Sequence, residues 1–276
     1  ISMFNQLEIL SDEQSEKLFT IRRYIKHLDS VCIAYSGGVD STLVASLAFE
    51  QLGSKAIAIT GISPALANTL REEARSQAKW IGIKHLEIKT SELEESSYRN
   101  NPQDRCFACK KELHKHTTYL SKKLNYKIVL DGVNHDDLKD FRPGIKAAKQ
   151  AGVISPLAKF KFSKKDIRDI SRALGFPWWD KPAQPCLSSR FPYGHEITSE
   201  RLKMVEKAEE YLKKGGLSEV RVRCQGSTAR IEIPQEELKH FFKKFNFDDL
   251  VQYFSKLGFN CTSLDLEGLI SGKLNR

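Results

Sequence analysis

The segment Ser36-Gly37-Gly38-Val39-Asp40-Ser41 is where residue type and spacing first suggest chemistry. It follows an apolar run, Val31 to Tyr35, that reads as a buried strand. It leads into a helix from Asp40 with Leu43, Val44 and Leu47 on one face. Two glycines let the backbone turn tightly and aim several N–H groups at an oxyanion. The helix start adds the positive end of its dipole, and Ser36 and Ser41 can donate further hydrogen bonds. Glycine pairs after strands also occur in plain turns, but the flanking serines and the acid at the helix start favour anion binding. No Gly-Lys-Ser/Thr follows, so this is not a Walker loop and γ-phosphate transfer is not its natural chemistry.

Thiols are the second chemical feature. The chain has 276 residues and six cysteines, which do not read as a disulfide framework. Cys32, Cys224 and Cys261 fall in apparent strands and read as core filler or bystanders. Cys106, Cys109 and Cys186 lie in polar, loop-like sequence. Cys106-Phe107-Ala108-Cys109, followed by Lys110 and Lys111, has a spacing at which two thiolates can bind one metal or cluster. Cys186 is followed four residues later by Arg190, a cation able to lower a thiol pKa if the segment turns helically.

Other charged residues carry two readings each. Arg221 and Arg223 alternate on one strand and so face the same side, either as a solvated face or as a fork for a phosphate. Asp136, Asp137 and Arg142 follow a strand end, either as nucleotide or magnesium contacts or as a turn with helix-capping acids.

The elements that must position these groups alternate between strand and helix. Ala56 to Thr60, His85 to Lys89 and Lys127 to Leu130 add strands. Ser63-Pro64 reads as the cap and first turn of a helix carrying Leu70, Ala74, Ala78 and Ile81. Another helical segment covers Lys110 to Leu124, and Ser163 with Asp166 opens a helix that stops at Gly175. This order predicts an α/β fold with a doubly wound, mostly parallel sheet. Ligands in such sheets sit beyond the C-terminal strand ends, where the motifs fall. The proline-rich stretch Phe176 to Gly194 reads as a junction. A charged helix from Ser199 to Lys214 follows, then strands at Glu219 to Arg223 and Ala229 to Ile233, a helix after Pro234, a further helical stretch and a strand near Thr262 to Leu266. We therefore expect residues 1–182 to form the larger domain and 183–276 a smaller C-terminal α+β domain.

The bulk properties exclude little. With 40% hydrophobic residues the chain can bury a core. No stretch approaches the ~20 apolar residues that span a bilayer. The N-terminal residues lack the pattern of a signal peptide, so a cytoplasmic address is expected. Its 44 basic and 35 acidic residues give a net charge of +9, either a solvated surface or an attraction for nucleotides or RNA.

Two further stretches join the phosphate loop in one resemblance. They are Asp131-Gly132-Val133-Asn134-His135-Asp136-Asp137, continuing through Asp140-Phe141-Arg142-Pro143-Gly144, and Gln184-Pro185-Cys186-Leu187-Ser188-Ser189-Arg190-Phe191-Pro192-Tyr193-Gly194. The loop resembles the SGGxDS segment of PP-loop ATP pyrophosphatases, and the combination is similar to the LarE family of ATP-dependent sulfur transferases. The resemblance covers most of the chain up to Gly194 and is weaker beyond. It implies that Ser36, Gly37, Gly38, Asp40, Ser41, Gly132, Asp136, Asp137 and Arg142 bind ATP, with Asp40 on Mg2+ and Thr60 near the adenine. It also implies a small-molecule substrate, pyridinium-3,5-biscarboxylic acid mononucleotide, whose phosphate Arg221 and Arg223 would hold. A carboxylate of that substrate would be adenylated and then converted to a thiocarboxylate in nickel-pincer cofactor synthesis for lactate racemase. A homo-oligomer, as large as a hexamer, is implied as well.

Members of the family differ in their sulfur source. In one kind a single loop cysteine gives up its own sulfur. Cys106 and Cys109 with Cys186 would instead make three thiolates for a [4Fe-4S] cluster with one open iron. A disulfide or persulfide relay with Cys186, structural zinc with His114, and an ordinary helix-start pair remain alternatives. Rival functions are a tRNA thiolase, which the basic charge fits but for which no RNA-binding appendage is recognisable, and a non-catalytic nucleotide-binding subunit, against which the intact polar loop argues. An ammonia-using synthetase would lack its glutaminase domain and leave the cysteines unexplained.

Overall fold

The computed structural model describes residues 4–139, 143–270 and Lys273. The chain divides into two compact units. One comprises Ile1–Ser63, Asn68–Glu92 and Asp104–Gln184; the other comprises Pro64–Ala67, Leu93–Gln103 and Pro185–Arg276.

The first unit opens with α1 (Asp12–Lys26), started by a capping box between Ser11 and Gln14. Then come β1 (Val31–Ala34), α2 (Val39–Leu52), β2 (Ala56–Ile62), α3 (Asn68–Ile81) and β3 (Lys84–Lys89). After α4 (Ser96–Arg99), which counts with the second unit, the chain continues through α5 (Arg105–Lys123), β4 (Ile128–Leu130), α6 (Pro143–Gln150), α7 (Pro156–Lys159) and α8 (Lys164–Ala173). The four strands form a parallel sheet in the order β3-β2-β1-β4. All four residues of β1 are buried, as expected for a strand covered on both faces. Val31 and Ile33 join Ile21, Leu43, Leu47 and Ile170 in one cluster. Cys32 points the other way, into a smaller cluster with Ile57, Ile59 and Val129, backed by Leu120. The chain leaves β1 for β2 on one side and β4 lies on the other, so strand order reverses at the C-terminal end of β1. That is the binding position of open α/β sheets.

Local signals that decide an element by themselves are found as expected. Ser163 and Asp166 make the predicted capping box on α8, and Gly175 follows the helix at φ +76°. Two expectations are corrected. Ser63-Pro64 does not start α3, which begins at Asn68. Residues Pro64–Ala67 belong to the second unit, where the Ala65 carbonyl accepts a hydrogen bond from the Leu187 N–H at 2.9 Å. Cys106 and Cys109 are not in a loop: α5 starts at Arg105, five residues before Lys110, and takes both into its first turns.

In the second unit α9 (Ser199–Lys214) is capped by the Thr198 side chain. It precedes the hairpin β5 (Arg221–Gln225) and β6 (Thr228–Glu232), then α10 (Leu238–Lys244), α11 (Phe247–Leu257) and β7 (Cys261–Leu264). The β5–β6 pair is antiparallel and β6–β7 is parallel. Among the described residues no helix is long and apolar enough to cross a membrane.

Candidate active site

The loop between β1 and α2 is tied by its own side chains. The Ser36 and Ser41 hydroxyls lie 3.1 Å apart, the Ser36 N–H donates to Ser41 Oγ at 3.2 Å, and the Gly38 N–H donates to Ser36 Oγ at 3.3 Å. Gly37 sits at φ +73°, a conformation suited to glycine, and an added Cβ would stand 3.0 Å from Ala74 of α3. Behind the loop lies a buried network that sequence reasoning missed. Thr42 donates to the Gly38 carbonyl at 2.8 Å, with Gln77 Oε1 3.0 Å from the same hydroxyl, and the Tyr35 hydroxyl donates to the Ala74 carbonyl at 3.1 Å. Thr60, buried at the end of β2, donates to the Tyr35 carbonyl at 2.7 Å and lies 2.8 Å from His85 Nε2. Burial lowers the His85 pKa.

The segment after β4 closes onto this loop. A Cβ at Gly132 would meet the Ser41 nitrogen at 2.6 Å, so only glycine allows the approach. Asp131, buried beside it, accepts the Val133 N–H at 3.1 Å, and burial pushes its pKa up. Asn134 and Asp137 bond each other's backbone N–H at 3.0 and 3.2 Å. Asp136 accepts the Lys164 N–H at 2.8 Å, which holds its carboxyl below the usual range. Lys164 then reaches Asp40 Oδ2 at 2.5 Å. Ser36, Gly37, Gly38, Asp40, Ser41, Gly132 and Asp136 are thus joined in one continuous set, with Thr60 and Asp137 bonded to its flanks. Arg142 lies outside the described residues. Lys164 was not singled out from the sequence; its place directly after a helix cap was the available signal.

On α5, Cys106 and Cys109 are three residues apart, a spacing that puts both side chains on one helical face. This suits two ligands of a single metal or cluster. His114 is buried, its Nδ1 has no hydrogen-bond partner among the described residues, and burial lowers its pKa to about 4. No group of three or more His, Cys, Asp or Glu placed to hold a metal is found among the described residues.

Cys186 belongs to the second unit, at the cap of a 3₁₀ turn over Leu187–Arg190. That turn brings Arg190 back under the thiol-bearing residue. The guanidinium donates to the Pro185 carbonyl at 3.2 Å, the Cys186 carbonyl at 3.5 Å and Ser189 Oγ at 2.9 Å. It also pairs with Glu209 of α9. Arg190 therefore touches Cys186 through its backbone. Arg223, also buried, donates to Glu232 at 2.9 Å and to the Ser189 carbonyl at 2.6 Å. Arg221 is half-buried and has no hydrogen bond or ion pair among the described residues. Burial, then the charges of Arg190 and Arg223, push its pKa down. The same turn is strapped by residues 93–103: the Tyr98 hydroxyl lies 2.6 Å from Ser188 Oγ, and the Asn101 side chain donates to the Phe191 and Pro192 carbonyls at 3.2 and 2.7 Å. Chemically, the unit offers a cysteine whose backbone is fixed by Arg190, two arginines neutralised by Glu209 and Glu232, and one uncommitted arginine on β5.

A polar loop, tied by its own serines at the C-terminal end of β1, on a four-stranded parallel sheet marks the first unit as α/β. No family model matches the chain. It is 35% identical to pyridinium-3,5-bisthiocarboxylic acid mononucleotide synthase of Lactiplantibacillus plantarum, over 94% of each chain. It is 53% identical to an uncharacterized protein of Synechocystis sp., over 94% of this chain and 97% of that one. It is also 32% identical to an uncharacterized protein of Methanocaldococcus jannaschii, over 91% and 96%. The chain belongs to the LarE family.

Proposed function

We propose that this chain is an ATP-dependent sulfur transferase that forms pyridinium-3,5-bisthiocarboxylic acid mononucleotide from the corresponding biscarboxylic acid, a step toward the nickel-pincer cofactor. The observation that carries the reading is the turn at Cys186, where Arg190 bonds the cysteine's backbone carbonyl and an uncommitted Arg221 lies on the same unit. Such a turn suits a substrate bearing a phosphate and an acyl group to be attacked by sulfur.

In this reading residues 1–182 form a doubly wound PP-loop domain and 183–276 the substrate side. The Ser36–Ser41 loop, Gly132, Asp136, Asp137 and Arg142 hold ATP, with Mg2+ on Asp40. A substrate carboxylate oxygen attacks the α-phosphorus, pyrophosphate leaves, and the acyl adenylate becomes an electrophile with AMP as leaving group. Sulfur then adds to the acyl carbon and AMP departs, leaving the thiocarboxylate. Arg221 and Arg223 orient the substrate phosphate, and Arg190 fixes the Cys186 backbone.

We further infer the three-cysteine kind. Cys106, Cys109 and Cys186 would hold a [4Fe-4S] cluster, and a cluster with one iron not bound by protein supplies sulfur as sulfide. The basic pair Lys110-Lys111 after Cys109 favours the thiolate forms that such ligation needs. The protein would act as a homo-oligomer.

The test is anaerobic purification with iron, sulfide and zinc analysis of the wild type and Cys106→Ala, alongside pyrophosphate release with the biscarboxylic nucleotide. About four irons with matching sulfide, lost in the variant, support the cluster. An ATP-active preparation with neither iron nor zinc sinks it. Absence of substrate-dependent pyrophosphate release sinks the transferase reading itself.

A further inference from the structure

We propose that Lys164 locks the magnesium ligand Asp40 in the nucleotide-free protein, so that a divalent cation enters only together with a polyphosphate. The proposal rests on the nucleotide reading of this loop and assigns its regulation to one side chain.

Lys164 is the first residue of α8, and its backbone is not at liberty to move. Its N–H is bonded to Asp136, the helix start is fixed by the Ser163–Asp166 box, and Asp166 is tied to Lys17 of α1 at 2.9 Å. Only the four-carbon stem can swing, and it places the ammonium 2.5 Å from Asp40 Oδ2. Asp40 Oδ1 is buried and has no hydrogen-bond partner among the described residues. One carboxylate thus presents an occupied oxygen and an unsatisfied one, the second being an apt ligand for a hard cation.

The surrounding charges decide what can occupy it. Asp136 accepts the Lys164 backbone N–H and pairs with the Lys139 ammonium at 3.6 Å, and Asp137 accepts the Asn134 N–H while keeping its charge. The Lys164 ammonium thus has Asp40 as its ion-pair partner, and Lys139 has Asp136. A divalent ion on Oδ1 would stand a few ångströms from the Lys164 ammonium and share the single Asp40 carboxylate with it, and like charges that close repel. A triphosphate supplies the missing charge. Its oxygens bridge the metal and give the Lys164 ammonium a new partner, so that Asp40 passes from lysine to metal.

Two cations competing for one carboxylate are coupled reciprocally, and the coupling can be read with Mn2+ alone. Electron paramagnetic resonance of unbound Mn2+, on the full chain without nucleotide, should show Lys164→Met binding the metal about tenfold more tightly than wild type, or better. Lys164→Arg, which keeps the charge, should behave as wild type, and adding Asp40→Asn to Lys164→Met should abolish the gain. Structural damage would weaken binding rather than strengthen it. Equal or weaker Mn2+ binding by a Lys164→Met protein of unchanged melting temperature overturns the lock, as does a gain shared by Lys164→Arg. Binding of a fluorescent ATP analogue is measured in parallel. Its failure in wild type would sink the nucleotide reading, while the Mn2+ comparison still decides the lock.

Discussion

Arg190 and Glu209 meet at two points, Nε to Oε1 at 2.7 Å and Nη2 to Oε2 at 3.1 Å, with each side chain less than a tenth exposed. Glu209 also accepts the Val222 N–H at 2.9 Å, so this pair joins the Cys186 turn, α9 and β5. Removing the arginine leaves a buried carboxylate uncompensated. Arg190→Met should cost about 3–5 kcal/mol of stability. Arg190→Lys should recover only part, because an ammonium cannot make the two-point contact. Urea unfolding of the three proteins gives the comparison.

Arg221 and Arg223 should separate cleanly although they alternate on one strand. Arg223 is committed to Glu232 and Ser189, so Arg223→Met should unfold easily. Arg221 is repelled by its neighbours, so Arg221→Met should leave the melting temperature unchanged or raise it. The same substitution should raise KM for the nucleotide substrate by about 10–100-fold, the worth of a charged hydrogen bond. Unchanged KM would remove Arg221 from the substrate site.

Gly132→Ala pushes a methyl against the Ser41 nitrogen, 2.6 Å away. Backbone on both sides has little room to yield, so overpacking should cost about 1–3 kcal/mol. If the Ser36–Ser41 loop holds the nucleotide as proposed, nucleotide-dependent pyrophosphate release should fall further than that loss of stability explains, because the strain falls on that loop. Activity assayed well below the melting temperature distinguishes the two effects.

His114 gives a pH signature. Burial lowers its pKa to about 4 from 6.5, so the unfolded chain binds the proton more readily. Stability is fully present above pH 6.5 and is lost as pH falls toward 4, with a slope of up to ~1.4 kcal/mol per pH unit. His85, also lowered by burial, adds in the same direction. His114→Asn should flatten this acid limb without removing it. Denaturant midpoints between pH 4 and 7 measure the difference; an unchanged slope would contradict a buried neutral imidazole.

What the sequence disclosed follows a physical division. The turn at Gly37, the cap at Ser163 and the periodic face of α2 are local, and each is written in consecutive residues. Gln77 leaves no such trace: it lies 35 residues from Thr42 and 42 from Tyr35, within an ordinary amphipathic helix. Glu209 and Glu232 carry no local mark of burial either; only the fold sets them against Arg190 and Arg223. The start of α5 was misplaced because Cys106-Phe107-Ala108-Cys109 sits between a polar stretch and a basic one, with no side-chain cap at Asp104. Arg142, predicted for the nucleotide site, lies outside the described residues.

The straps at 64–67 and 93–103 have a consequence for how the molecule comes into being. Tyr98 precedes its partner Ser188 by 90 residues, and Asn101 precedes Phe191 by the same distance. Closing loops of that length is slow compared with winding a helix. During synthesis Asn101, held at φ +52° in the finished molecule, waits for carbonyls not yet made. The thiol-bearing turn is therefore among the last features to set. A fragment ending before Pro185 would keep the Ser36–Ser41 loop but strand both straps, and a fragment beginning at Pro185 would lack them. Neither half can be excised by a single cut.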